Sequence, residues 1–243
     1  MRTLLILALA MLSTSVLANH PHSPHSMQQF QSSISTYQQS PPAMVYNSRS
    51  SHHGNGTEAS EQRTVSAFDA IRIEIPAVIH YQPSDTRSLL VSADANLLDI
   101  INTEVVDGVL IISAKDNFST RLPIQIEVSS QTLKQAFMLA GGQLNISNIK
   151  EQSLQLRVTG SGNLKVSGES TVLKTELMGS GTIDGQNLVS QNCQLSLQGS
   201  GSIYSSCAEQ LSAHLLGSGT IAVSGSPTSR QLSGWGAGQI LVD

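Results

Sequence analysis

Three sets of residues in this sequence have the types and spacing to do chemistry. The first is imidazole. His20, His22 and His25 stand in a short Pro/Ser-rich stretch, and His52-His53 follow. Clustered imidazoles in an unstructured segment can take up Cu(II), Ni(II) or Zn(II) loosely. They lack the fixed spacing of a structural zinc site, and no Cys or carboxylate joins them. The second set is Cys193 and Cys207, the only 2 cysteines. In an oxidising compartment they can pair, and closing the loop between them would stabilise the fold by ~3 kcal/mol. Two buried thiols are the alternative. The third set is carboxylate: Glu169, Glu176, Asp184 and Glu209 are the acids that a glycan-cleaving site would have to bring together on one groove. His214 adds a Ser–His arrangement if Ser196 or Ser233 lies beside it.

Whether any of these residues meet depends on the elements that carry them, and the C-terminal half is organised by an internal repeat. Gly160-Ser161-Gly162 recurs as Gly179-Ser180-Gly181, Gly199-Ser200-Gly201 and Gly217-Ser218-Gly219, with Gly236-Ala237-Gly238 as a fifth copy and Ala140-Gly141-Gly142 as a degenerate first one. The leading positions are 20, 19, 20, 18 and 19 residues apart. Aligned on the triplet, three positions are mainly apolar. Two before it stand Met138, Val158, Leu177, Leu197, Leu215 and Gly234; four before it, Ala136, Leu156, Thr175, Leu195, Ala213 and Leu232; four after its first residue, Leu144, Leu164, Ile183, Ile203, Ile221 and Ile240. The residues between are mostly polar. Each copy therefore reads as two half-buried strands of period two, joined at a Gly-x-Gly bend that a side chain would crowd. A unit this short cannot bury its own apolar face, so the copies must stack. Parallel stacking places Arg157 beside Glu176 and Lys165 beside Asp184, opposite charges on adjacent turns. The predicted fold is all-β, a β-solenoid with repeats of about 19 residues over 136–243.

Upstream, Ile71-Arg72-Ile73-Glu74-Ile75 and Ile124-Gln125-Ile126-Glu127-Val128 alternate strictly, and Asp107-Gly108 marks a hairpin within the N-terminal strands of 65–135. Ala93 to Asn102 is the only credible helix there, a turn or two long. Residues 19–64 hold five of the 7 histidines, ten serines, six glutamines and four prolines, and read as a disordered arm. Residues 1–18 read as a signal peptide: Arg2, the apolar run Leu4 to Met11, and Val16-Leu17-Ala18 before a cleavage point. That places the chain outside the cytoplasm, in the periplasm, on the outer cell surface or secreted. No later stretch has the length of a transmembrane helix. Removing 1–18 takes away Arg2 and no acid, moving the formal charge from −4 to −5. A chain of that balance without clustered Lys or Arg is a poor nucleic-acid binder.

Taken together, Phe68-Asp69-Ala70-Ile71, the run Ser92 to Ile100, Thr103-Glu104-Val105, Asp107-Gly108-Val109-Leu110 and the Gly-Ser-Gly array resemble the putative auto-transporter adhesin head domain called the GIN domain. The resemblance covers about Val65 to Asp243. It implies a right-handed parallel β-helix in exported bacterial proteins, with no established catalytic residue, cofactor or ligand. Many repeats of that family carry an acidic residue just after the triplet, where this chain has Asn163, Thr182, Ser202 and Thr220.

On the repeat alignment the acids Glu169, Glu176, Asp184 and Glu209 fall in different columns or distant turns, so the expectation is a non-catalytic scaffold or adhesin-like protein of the cell envelope without a cofactor. Capture of metal by the histidine arm is the alternative. Phe137, Tyr204 and Trp235 fall on outward columns and are the candidate contact residues. The partner is not identified by the sequence; an envelope glycan, a surface, or self-association through the C-terminal edge are the options that such an outer face and uncovered edge leave open.

Overall fold

The computed structural model describes residues 51–243. The expected signal peptide, most of the expected arm, and His20, His22 and His25 lie outside the described residues. The chain runs through β1 (Ser51–His53), β2 (Glu58–Gln62), β3 (Ala70–Ile73), β4 (Ala77–Pro83), β5 (Ser88–Asp94), β6 (Ile101–Val106), β7 (Val109–Ala114), β8 (Asn117–Ser119), β9 (Gln125–Ser130) and β10 (Gln135–Met138). Four long strands that turn corners follow: β11 (Gly142–Gly160), β12 (Asn163–Gly179), β13 (Thr182–Gly199) and β14 (Ser202–Gly217). The chain then ends in β15 (Thr220–Ser224), β16 (Ser229–Trp235) and β17 (Gln239–Val242).

The repeats stack as expected into a β-solenoid of about five turns. Every pairing between successive copies is parallel: Val158 lies opposite Leu177, Leu177 opposite Leu197, and Leu197 opposite Leu215. As far as β15 the three apolar columns face inward and join one core, with Thr175 the buried polar member. The bends depend on glycine for two reasons, seen most clearly in one copy. Gly199 has φ +130, which a side chain rarely adopts. A Cβ on Gly201 would strike the Gly181 carbonyl and the Leu177 side chain of the turn beneath.

The stack does not begin at residue 136. Strands β3 and β4 form a turn of the same solenoid, lying between β10–β11 on one side and β7–β9 on the other. Ala136 sits opposite Ile71 and Ile71 opposite Leu110, while Leu144 sits opposite Ile79 and Ile79 opposite Ile126. The inward columns thus continue through 65–135, but the order of turns in space departs from the order along the chain. The hairpin of β6 and β7 forms as expected, with Asp107 at φ 50 and Gly108 at φ 79. The expected helix shrinks to a 3-10 turn at Ala95–Leu97, which buries Leu97. Strands on both sides leave it no room to propagate.

Ordered chain also begins earlier than Val65. Strands β1 and β2 fall inside the stretch expected to be a disordered arm to residue 64, so that expectation is corrected for 51–62. β1 pairs in parallel with β8, and β2 pairs antiparallel with β5. Neither shows apolar alternation, because a buried carboxylate rather than a hydrophobic stripe ties this segment down. Asp94 is fully buried and accepts backbone N–H bonds from Gly56 at 2.6 Å, Arg121 at 2.9 Å and Leu122 at 3.1 Å. Gly54 lies so close to it that a side chain there would collide with the carboxylate. Burial pushes the Asp94 carboxyl up, but the donors from Leu122, Gly56 and Arg121, with the Arg121 charge, outweigh it and hold the group below its ordinary value. A depressed native pKa contributes stability that is complete above the unfolded value near about 4 and is lost as pH falls through the native one. Asp94→Asn is therefore expected to lower the melting temperature at neutral pH, with a gap to the unaltered protein that closes as pH falls below about 4. Melting curves across that range test it; a gap that stays constant with pH would show that the charge is not what clamps the segment.

Candidate functional site

The outer surface of the solenoid is built from the residues that alternate with the inward columns. On the sheet that precedes each bend, two outward columns run along the stack. One contains Phe137, Arg157, Glu176, Ser196, His214 and Ser233, paired in that order. The other holds Thr159, Met178, Gln198, Leu216 and Trp235, and is headed by Leu139, one residue past the paired Met138. Leu139, Met178, Leu216 and Trp235 are 39%, 45%, 48% and 74% exposed, large apolar side chains held in water along one line. At ~4.8 Å per turn, Leu139, Met178 and Leu216 stand roughly 10 Å apart, with Thr159 and Gln198 between them, and Trp235 follows Leu216 on the very next turn. The alignment contained this column, one residue before each triplet, but its mixture of Leu, Thr, Met and Gln reads as polar until its exposure is known.

At the N-terminal end of this stripe the hairpin turn of β6 and β7 forms one wall of an open groove of about 430 Å³, lined by Val106, Val109, Phe137 and Leu139 with Arg72 and Arg157. Both guanidinium groups are engaged by acids. Arg72 Nε lies 2.6 Å from Glu74 Oε1, and Arg157 Nε donates to Glu176 Oε2 at 2.7 Å. Lys174 Nζ is 3.1 Å from the other Glu176 oxygen. Partial burial pushes the Glu176 carboxyl up, but hydrogen bonds from Lys174 and Arg157 and their charges hold it below its ordinary value. The sheet after the bend is different in character. It carries Gln143, Asn163, Thr182, Ser202, Thr220 and Gln239 as one polar ladder, and Asn145, Lys165, Asp184, Tyr204, Ala222 and Leu241 as the next.

The residues singled out by sequence are distributed as follows. Phe137 and Trp235 share a sheet and occupy adjacent columns, five turns apart along the stack, whereas Tyr204 lies on the neighbouring sheet between Asp184 and Ala222. The structure therefore does not gather the three aromatics into one patch. Lys165 Nζ stands 3.9 Å from Asp184 Oδ2, and Arg157 bridges to Glu176, the two cross-turn ion pairs that the register required. His214 Nδ1 is 2.9 Å from Ser233 Oγ on the outward column. Cys193 and Cys207 form a disulfide, with Cα atoms 6.1 Å apart. His52 and His53 belong to β1 rather than to a disordered arm. His52 Nε2 is 3.5 Å from Asp116 Oδ2, and His53 Nδ1 is 2.7 Å from Ser119 Oγ. Among the described residues, no three His, Cys, Asp or Glu side chains converge to hold a metal ion.

Residues 67–227 match the family described as putative auto-transporter adhesin, head GIN domain. Among solved structures, the chain is similar to a putative adhesin from Bacteroides fragilis, with a TM-score of 0.67 and 23% identity over 79% of this chain and 99% of that one. It is also similar to a putative lipid binding protein from Parabacteroides distasonis (TM-score 0.61, 21% identity, 80% and 100% covered) and to a putative adhesin from Parabacteroides merdae (TM-score 0.54, 20% identity, 79% and 99% covered). At such identities these likenesses establish the fold. No curated protein matches the sequence.

Proposed function

Because the chain belongs to the putative auto-transporter adhesin, head GIN domain family, we propose that it is an exported, non-catalytic binding scaffold of the cell envelope, adhesin-like in its action. The solenoid supplies a rigid, flat sheet, and the outward columns of that sheet make the contact. The observation that carries this reading is the stripe of Leu139, Met178, Leu216 and Trp235, exposed along the stack and flanked by the polar and charged column of Arg157, Glu176, Ser196 and His214. Apolar side chains one or two turns apart beside hydrogen-bonding groups suit an extended polymer lying along the solenoid axis. A glycan strand presents that combination, since sugar rings have apolar faces and hydroxyl edges. The acids of the repeats support a binding role in another way: Glu176 is held by Arg157 and Lys174, and Asp184 by Lys165, so each serves its neighbours in the ladder.

The test is a binding screen of the exported chain on immobilised envelope and surface glycans, repeated with Met178→Lys and Leu216→Lys combined. Both positions are exposed, so the double variant should melt within about 1 kcal/mol of the unaltered protein. Binding is expected to fall tenfold or more, about 1.4 kcal/mol. Retention of a glycan by the double variant at unchanged affinity would exclude this stripe as the contact face.

A further inference from the structure

The two ends of the solenoid are finished differently. At the N-terminal end, β2 and β6 run antiparallel to the strands they cover and carry Glu58, Glu61 and Glu104, of which Glu61 pairs with Arg63, just past β2. Acids on a covering strand discourage further pairing along its free edge. At the C-terminal end, β16 pairs with β14 and β17 with β15, and among the described residues no further strand continues the sheet beyond either. There the inward columns come open. Leu232 is 45% exposed, where Leu195 and Ala213 in the same column are 2% and 1%, and Gly234 stands where earlier turns place Leu197 and Leu215. Residues 229–243 hold Arg230 and Asp243 as their only charges, which sum to zero.

We propose that this end turn is the interface of a two-fold dimer, in which β16 of one copy pairs antiparallel with β16 of a second. A two-fold axis brings an edge strand against itself in the antiparallel sense, so its unpaired N–H and C=O groups become each other's partners. The middle of the seven residues of β16 is Leu232. A pairing centred there sets the two Leu232 side chains against one another, and the inward column then continues from one solenoid into the next. Charge favours the same choice of occupant. A second end turn brings no net charge, whereas a head-to-tail neighbour would present Glu58 and Glu104. Tail-to-tail association also closes at two, while head-to-tail stacking would grow into an open filament. The inference is independent of what the outer face binds.

Sedimentation of the full exported chain over a concentration series is expected to show twice the monomer mass at saturation and no larger species. Leu232→Lys should lose the dimer, whereas Glu104→Lys, at the other end, should keep it. Amide hydrogen exchange guards against a variant that merely unravels the last turn: in the unaltered chain, residues 229–235 should become more protected as concentration rises. A monomer at every concentration, whether because the end stays bare or because other parts of the chain cover it, would overturn the proposal. So would growth past two, a dimer that survives Leu232→Lys, or exchange in 229–235 that does not change with concentration.

Discussion

Leu197→Asp is expected to lower the melting temperature by roughly 10 °C or more, while Ser196→Asp should move it by only a few degrees. The two positions are neighbours on β13, separated by the alternation of the strand. Leu197 is fully buried in the inward column between Leu177 and Leu215. Replacing it forfeits about 1.5–3 kcal/mol of side-chain burial. The replacement also places a carboxylate where no cation can reach it, adding several kcal/mol unless the group stays protonated. Ser196 faces outward between Glu176 and His214. A carboxylate there remains hydrated, and its repulsion from Glu176 is a cross-strand effect of under about 1 kcal/mol. Since each repeat is stabilised mainly by its neighbours, the damage at Leu197 should reach the turns on both sides. Thermal melts of the two variants decide the matter. Similar melting temperatures would mean that the strand presents the wrong faces to core and solvent.

The contrast between these two residues was legible in the sequence, because the Gly-x-Gly triplet fixes a frame and side chains then alternate about it. The same frame places Arg157 against Glu176, Lys165 against Asp184 and Cys193 against Leu211, as the structure does. Legibility ends where that frame is missing. Strands β3, β4, β7 and β9 continue the columns through Ile71, Ile79, Leu110 and Ile126, but no triplet marks their bends. Their spatial order, with residues 70–83 between two later segments, is a long-range matter that alternation alone does not encode. Strands β1 and β2 were hidden for another reason. Their order derives from backbone pairing and from Asp94, and neither produces an apolar period. The outward stripe was missed because Thr159 and Gln198 interrupt its apolar members. Trp235, by contrast, was legible as outward from its parity alone, and it is the most exposed large apolar side chain of the described residues.

Reduction of the disulfide is expected to lower the protein's melting temperature by about 6–12 °C, the equivalent of ~3 kcal/mol in a chain of this size. The estimate follows from where the disulfide lies. Cys193 sits in the inward column of β13, opposite Leu211 of the next turn, and Cys207 lies at the corner of β14 opposite Ser190 of the turn before. The bond therefore clamps two adjacent turns across a sequence separation of 14 residues. Backbone pairing is interrupted close by, with register shifts between Gly185 and Val189 and between Ser190 and Asn192. A covalent link there restrains a corner that strand hydrogen bonds hold less completely. Both cysteines are buried, so Cys193→Ala with Cys207→Ala should lose the link and some packing, and should melt at or below the reduced protein. Adding reductant to that double variant should change nothing. Thiol titration of the denatured protein, purified without reductant, should find no free cysteine. Two free thiols, or a reductant effect that persists in the double alanine variant, would refute the clamp and leave Cys193 as one more apolar member of its column.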